Sequence, residues 1–96
     1  MIYGVLQIDL RLQGVQSLKD KRSIVQKLLT KVRNAYLISV SEVGDHDLLG
    51  NAVIGVAVAG SDPIQIEKIL QQVLKIIDEN PALEVYDSVI LVDQLK

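Results

Sequence analysis

Six basic side chains are crowded into one stretch of this 96-residue sequence. Between positions 17 and 36 the single acid is Asp20, and the basic residues are Lys19, Lys21, Arg22, Lys27, Lys31 and Arg33. The chain has 10 basic and 12 acidic residues in all, which leaves four basic and eleven acidic ones outside this stretch. A local basic surface can bind polyanions even when the net charge, here −2, is negative.

Three of these cations stand at the start of a predicted helix. Cations at a helix N-terminus oppose the macrodipole, at a cost of about 0.3–1 kcal/mol each when exposed. The free N–H groups of such a terminus attract anions. Lys19, Lys21 and Arg22 therefore predict a phosphate or carboxylate site. The alternative is a basic helix face that is only solvated, or that pairs with acids elsewhere on the chain.

Helical spacing separates the cations into two flanks and one inward position. The flanks are Lys19, Arg22 and Arg33 on one side, and Lys27 and Lys31 on the other. Lys21 falls among the apolar residues, so its ammonium must either extend past the edge of the sheet or meet an acid. Glu42 is the candidate partner for a structural pair.

Other chemistry is weakly supported. Asp45, His46 and Asp47 are adjacent loop residues that do not specify a metal geometry, so a solvated loop is the preferred interpretation and no metal is predicted. His46 as a general base would need a nucleophile, and none is identified. The sequence lacks cysteine and a phosphate-binding glycine loop. We therefore predict no catalytic residues, no cofactor and no enzymatic activity.

The elements that position these residues are visible in the hydrophobic pattern. Apolar residues alternate from Leu6 to Leu12, which predicts a strand with one buried face. Ser17, followed by Asp20, resembles a capping box and begins a helix that ends near Asn34. A second strand around Val40 loses its alternation near Glu42, which indicates a bulge or the strand end.

The second half of the chain repeats this order. Residues 52–59 form a third predicted strand. Asp62 and Pro63 form a strong helix start, and Asn80 and Pro81 end that helix. A fourth strand begins at Leu83. The order strand, helix, strand, strand, helix, strand predicts a single ferredoxin-like α+β domain over residues 1–96, with four antiparallel strands and two helices on one face.

The uncovered face of such a sheet needs a polar surface or a partner. Tyr3 and Val5 are predicted on this face, with Ile90 and Val92 beside them. Together they would form an apolar patch larger than isolated exposed residues make, which favours a homodimer through the open sheet face. Burial under the chain's own C-terminus is the alternative.

Composition limits the remaining classes. Hydrophobic residues make up 49% of the chain and charged residues 23%, as in globular proteins. The longest apolar run is too short to span a bilayer, so no membrane association is expected. No basic region precedes the N-terminal apolar stretch, so it does not resemble a signal peptide. A cytoplasmic location follows as an expectation.

The run from Ser17 to Arg22, Ser-Leu-Lys-Asp-Lys-Arg, resembles the signature of the YlxP-like family of bacterial proteins of unknown function. Further matching segments are Gly4-Val5-Leu6, Ser41-Glu42-Val43, Asp47-Leu48 and Gly55-Val56-Ala57-Val58. The resemblance covers essentially the whole chain. It departs at Leu49, where many relatives have Trp, so this loop lacks the aromatic side chain that those relatives carry.

The resemblance implies a ferredoxin-like fold. Relatives are often encoded near translation initiation and ribosome-maturation factors, which implies a link to the ribosome or to RNA. No activity is established for the family, so the resemblance supplies no catalytic residue. The recurring positions would be Ser17, Leu18, Lys19, Lys21, Arg22, Glu42 and Asp47.

These observations lead to three functional hypotheses. The first is a non-enzymatic RNA- or ribosome-associated protein that binds phosphates through its basic first helix. The alternative is a homodimeric interaction or regulatory module that binds a small anion or a protein partner. The third is an enzyme of acylphosphatase type. It is disfavoured because that chemistry needs a phosphate-cradling loop with arginine after the first strand, where residues 13–16 are Gln-Gly-Val-Gln.

Overall fold

A computed structural model describes all of residues 1–96. The chain forms four strands and two helices in the predicted order. In chain order they are β1 (Ile2–Leu12), α1 (Leu18–Ala35), β2 (Ser39–Gly44), β3 (Asn51–Gly60), α2 (Pro63–Asp78) and β4 (Leu83–Gln94). Neither helix is long and apolar enough to cross a membrane.

The strands form one antiparallel sheet in the order β2-β3-β1-β4. Helix α1 packs on the β2 side of the sheet, and α2 packs on β1 and β4. This is the ferredoxin-like arrangement, so the predicted fold class is confirmed. β1 and β2 run in the same direction, which places the end of β2 and the β2–β3 loop beside the beginning of α1.

Residues from both helices and all four strands form the core. The alternating apolar residues of β1, from Leu6 to Leu12, are all buried on the helix side. Helix α2 approaches β1 closely at Gly4, where a Cβ atom would lie 2.5 Å from Ile66 Cγ2 and 2.8 Å from Leu70 Cδ1. A larger residue at Gly4 would therefore push α2 away from the sheet.

Both helix starts follow the predicted capping pattern. The Ser17 hydroxyl accepts a hydrogen bond from the Asp20 backbone N–H at 3.1 Å. The Asp62 carboxylate accepts one from the Ile64 N–H at 3.0 Å, with Pro63 in the first turn. These side chains satisfy backbone donors that have no partner within the helix. The break predicted near Glu42 is also present, as a register shift between β2 and β3.

The predicted position of two β4 residues is wrong. Ile90 pairs with Leu6 and Val92 pairs with Gly4, so both lie on the helix-covered face and pack against the core. A bulge around Tyr86 adds one residue to β4 and exchanges its two faces. The open face therefore carries the odd-numbered neighbours of these residues.

Candidate basic surface and buried lysine site

Helix α1 presents a polar surface to solvent along its whole length. Its apolar face is fixed by Val25, Leu28, Leu29 and Val32, which are buried against the sheet. The opposite face carries five exposed cations and one exposed acid, Asp20. The exposed cations are Lys19, Arg22, Lys27, Lys31 and Arg33. The sequence therefore places five of its six predicted anion-binding residues on an accessible surface.

Lys21 is the exception, and its predicted role in anion binding is wrong. Its side chain is 1% exposed and is the one buried charged residue in the protein. It lies on the inward face of α1, one turn before Val25. An incoming phosphate cannot reach this ammonium group, because the helix, the sheet edge and the β2–β3 loop surround it.

Three oxygen atoms surround the Lys21 ammonium group. It donates hydrogen bonds to the Asp45 carbonyl and, at 3.3 Å, to the His46 carbonyl. Glu42 Oε2 lies 3.2 Å from Lys21 Nζ. That oxygen is itself buried and accepts no well-aligned hydrogen bond, so the contact is mainly an attraction between opposite charges. The ammonium group therefore has a charged partner and two carbonyl acceptors, as a buried cation requires.

The β2–β3 loop is shaped around this cation. Asp45 adopts a left-handed backbone conformation with φ of 59°, which aspartate tolerates better than most residues. This turn helps to direct two successive carbonyls at Lys21. The His46 ring nitrogen Nε2 lies 3.1 Å from the Glu42 carbonyl and closes the turn from the other side. Lys21 therefore ties the β2–β3 loop to the first turn of α1.

The adjacent polar residues of this loop do not assemble a metal site. No group of three or more histidine, cysteine, aspartate or glutamate side chains converges anywhere in the protein. Backbone carbonyls of Asp45 and His46, rather than their side chains, face the centre of the site. The loop therefore binds the Lys21 ammonium group, and this group supplies the positive charge at the centre of the site.

Arg33 combines two environments. Its guanidinium group donates a hydrogen bond of 2.9 Å to the Val40 carbonyl on β2, while the residue as a whole is exposed. This contact holds the C-terminal end of α1 to the outer strand of the sheet. The remaining guanidinium N–H groups are available to a ligand, since arginine has five donors in total.

The exposed cations have no acidic partner. Lys21–Glu42 is the single ion pair within 4 Å in the protein. The eleven acids outside α1 therefore leave the exposed lysines and arginines of that helix unneutralised at close range. Lys27 and Lys31 line a shallow polar groove of about 510 Å³ with Gln26, Thr30 and Asn34, which offers hydrogen-bonding groups beside two positive charges.

A second surface lies on the opposite side of the sheet, which no helix covers. Aliphatic side chains are exposed there, among them Val89 at 60%, Leu91 at 53% and Val5 at 39%. They border a hollow of about 510 Å³ whose floor includes Gly55 and Ala57. Tyr86 lies at one end, beneath the Arg11 guanidinium group, which is 4.8 Å from the ring centre.

The fold and this site define a small ferredoxin-like protein with a basic outer helix, a buried lysine that fixes a loop, and an uncovered sheet face. Residues 3–90 match the DUF503 family, described as proteins of unknown function, and the chain belongs to that family. The match confirms the family resemblance that the Ser17–Arg22 run carries.

One curated relative is the uncharacterized protein YlxP of Bacillus subtilis (strain 168). It is 36% identical over 81 residues, which cover 84% of this chain and 88% of the relative. Among solved structures, a dimeric ferredoxin-like protein of unknown function from Thermobifida fusca aligns with 18% identity and a TM-score of 0.43, over 97% of this chain and 92% of the other. This similarity is too low to assign the fold, which follows instead from the strand order of the sheet.

Proposed function

We propose that this protein is a non-enzymatic module that binds RNA, free or within a ribosomal particle, by contacting phosphates through the solvent face of α1. The observation that carries the proposal is the contrast within one helix: five cations are exposed without an acidic partner, and the single ion pair is used by the buried Lys21. A cytoplasmic location belongs to the same proposal, since ribosomal particles are found there.

The dimensions of the helix suit a nucleic acid strand. Eighteen residues at 1.5 Å each give α1 a length of about 27 Å. At a rise near 3.4 Å per nucleotide, that length matches roughly eight nucleotides of one strand. Lysines and arginines are distributed along α1, and amide and hydroxyl side chains lie between them. Side chains of these types contact the phosphates and sugars of nucleic acids.

Contacts of this kind do not read the sequence of the RNA. Base-specific recognition on a ferredoxin-like sheet uses aromatic side chains that stack on bases. The open face here offers Tyr3 and Tyr86, and Tyr86 already stacks with Arg11. The third tyrosine, Tyr36, donates a hydrogen bond of 2.7 Å to Gln72 on α2 and lies away from that face. We therefore propose recognition of shape and charge.

The decisive experiment is a filter-binding titration of structured RNA at 50 and 200 mM salt. Five phosphate contacts predict a slope of log affinity against log salt of about −3.5 to −4.5, which weakens binding about a hundred-fold or more over this range. The absence of binding at 50 mM salt would overturn the proposal.

A charge-reversal pair separates the surface of α1 from net charge. K27E/K31E places two acids in the polar groove and should abolish most of the binding at 200 mM salt. The matched control is K68E/K75E, which makes the same change in net charge on two exposed positions of α2. Equal losses for both variants would show that overall charge, and not the α1 surface, controls binding.

The open sheet face supports a second candidate, a homodimeric interaction module. Exposed Val5, Val89 and Leu91 form a continuous aliphatic surface, because they occupy adjacent strands in register. Isolated exposed aliphatic residues are common, but a continuous patch of this kind marks an interaction site. Sedimentation velocity of the full chain over a wide concentration range tests self-association without reference to any RNA. This candidate and RNA binding use opposite sides of the sheet and are compatible.

A further inference from the structure

On the open sheet face, side chains are larger near the β4 edge than near the β2 edge. One row across the sheet runs Leu91, Val5, Ala57 and Ser39, from β4 through β1 and β3 to β2. The larger side chains of this row, leucine and valine, lie on β4 and β1, and the smaller ones, alanine and serine, lie on β3 and β2. β4 therefore forms a ridge on the open face, and the β2–β3 side forms the floor of the hollow.

In the neighbouring row the larger side chains again lie on β4 and β1, and the smaller ones lie on β3 and β2. This row runs Val89, Gln7, Gly55 and Ser41 across the same four strands. Val43 lies two residues beyond Ser41 on β2 and forms a wall at that end of the hollow. Its side chain covers Gly55, where an added Cβ atom would lie 2.7 Å from Val43 Cγ1. The hollow of about 510 Å³ is thus bounded by the β4 ridge and by Val43.

This surface is complementary to a copy of itself. A two-fold axis that lies between the facing sheets, parallel to the strands, places β4 of one copy over β2 of the other. The ridge then fills the hollow on both sides at once, because an isologous interface repeats each contact. An axis perpendicular to the strands would place ridge on ridge and leave the hollows empty.

We infer that the occupant of the open face is a second copy of this chain, with Leu91 of each copy seated against the Ser39–Ser41 floor of the other. This inference rests on the homodimer candidate above and specifies its register. Asp93 borders the aliphatic centre at one end, and Asp9 and Asp87 border it at the other, so the patch has the apolar centre and polar rim of a protein interface.

The size of the face is sufficient for a specific dimer. With strands about 4.8 Å apart and a rise of about 3.4 Å per residue, the four-stranded part measures roughly 19 Å by 20 Å. Four further rows of the three longer strands bring the projected area to about 600 Å² per copy. Two copies would bury of the order of 1,200 Å², at the lower end of standard interfaces.

The dimer has a consequence for RNA binding. Packing the open faces together places the two α1 helices on opposite outer surfaces. Facing sheets pack about 10 Å apart. With about 5 Å for the outer half of each sheet and a helix layer about 10 Å thick beyond it, the two basic surfaces lie roughly 40 Å apart and point away from each other. The dimer would then join two separate RNA segments, whereas a monomer would bind a single segment.

A compensating pair of substitutions tests the register by sedimentation equilibrium. S39L fills the floor and should raise the dimer Kd at least ten-fold, as should L91A, which lowers the ridge. The double variant S39L/L91A should bind more tightly than either single variant. Two strands separate Ser39 from Leu91 in one chain, about 14 Å across the sheet, so compensation within a chain is impossible.

Two controls complete the test. I64A changes an exposed isoleucine on α2, far from the open face, and should leave the Kd unchanged. Circular dichroism of each variant confirms folding, which is expected because Ser39 and Leu91 are exposed. A wild-type chain that stays monomeric up to millimolar concentration overturns the inference. A dimer without compensation in S39L/L91A overturns it as well.

The RNA consequence is measured separately, so that failure of RNA binding does not affect the test of the dimer. V89D should convert the protein to monomers and leave RNA affinity per chain within two-fold of wild type. The wild-type protein should bring together two differently labelled RNA molecules, which is measured as energy transfer between the labels. The V89D substitution should abolish that signal. A signal that persists in the monomeric variant contradicts the proposed bridging arrangement.

Discussion

Lys21 and Lys27 lie six residues apart on the same helix and have opposite environments. Lys21 is buried, and three oxygen atoms from β2 and the following loop surround its ammonium group. Lys27 is exposed in a polar groove and has no acidic partner. Lys21 joins α1 to β2 and the β2–β3 loop, whereas Lys27 is available to a ligand.

This contrast shows that charge counted along the sequence differs from charge presented at the surface. The basic stretch counts six cations and one acid, but one cation is neutralised inside the protein. The three cations of the first turn, grouped as one predicted site, divide in the same way: Lys19 and Arg22 are exposed, and Lys21 is not. The accessible basic surface is therefore centred further along α1 than the sequence suggests.

Removal of the buried cation should have the largest effect. In K21A the Glu42 carboxylate stays in its buried position without a counter-ion, and two loop carbonyls lose their donor. Removing one partner of a buried pair costs about 3–5 kcal/mol. For a domain of this size that loss lowers Tm by more than about 10 °C.

The matched control is K27A, which removes an exposed lysine from the same helix and should change the free energy of unfolding by less than about 0.5 kcal/mol. Urea denaturation of both variants makes the comparison. Similar stability for K21A and K27A would contradict the assigned role of Lys21.

Neutralising the other partner should cost less. E42Q retains a polar group beside Lys21 but removes its negative charge, while the two carbonyl acceptors remain. Removing one partner of a buried ion pair costs about 3–5 kcal/mol when nothing else satisfies the remaining charge. Because the two carbonyls still accept hydrogen bonds from the ammonium group, we expect a smaller loss, of about 2 kcal/mol, in the free energy of unfolding. Hydrogen exchange should also accelerate at the backbone amides of residues 45–48, since the loop is held less firmly. A loss as large as that of K21A would indicate that the carbonyls contribute little.

Neutral substitutions on the exposed face should change binding and leave stability intact. K27Q/K31Q removes two proposed phosphate contacts without introducing repulsion. The slope of log affinity against log salt should then decrease in magnitude by about 1.4 to 1.8, since each contact contributes about 0.7 to 0.9. Tm should stay within about 3 °C of wild type. An unchanged slope would place the RNA on another surface.

The sequence predicts this site to the extent that local periodicity determines it. Helical spacing is sufficient to place Lys21 among apolar residues, and the loss of alternation in β2 is sufficient to nominate Glu42. The two carbonyls that complete the site carry no signal in residue type. Their direction depends on the left-handed turn at Asp45, which brings both carbonyls to the Lys21 ammonium group.

The fold was predictable for a similar reason, and the error in β4 has a definite cause. Alternation, caps and turn residues determine six elements, whose order specifies the topology. Leu83 and Val85 start β4 with odd-numbered residues on the core side, and continued alternation would place Ile90 on the open face. The bulge at Tyr86 reverses this parity. A stretch that is apolar on both faces gives no pattern from which to detect such a reversal.

Arg33 provides the smallest and sharpest test, because it belongs to both classes of cation. Its hydrogen bond to the Val40 carbonyl should contribute about 1 kcal/mol to stability, the usual net value for such a bond. Its free N–H groups should contribute one phosphate contact. R33A should therefore lower the free energy of unfolding by about 1 kcal/mol and reduce the salt slope by a little under one unit. R33K should restore the slope more fully than the stability, since an ammonium group supplies the charge but not the planar guanidinium geometry. A variant that changes stability alone would assign Arg33 to the class of Lys21, and one that changes the slope alone would assign it to the class of Lys27.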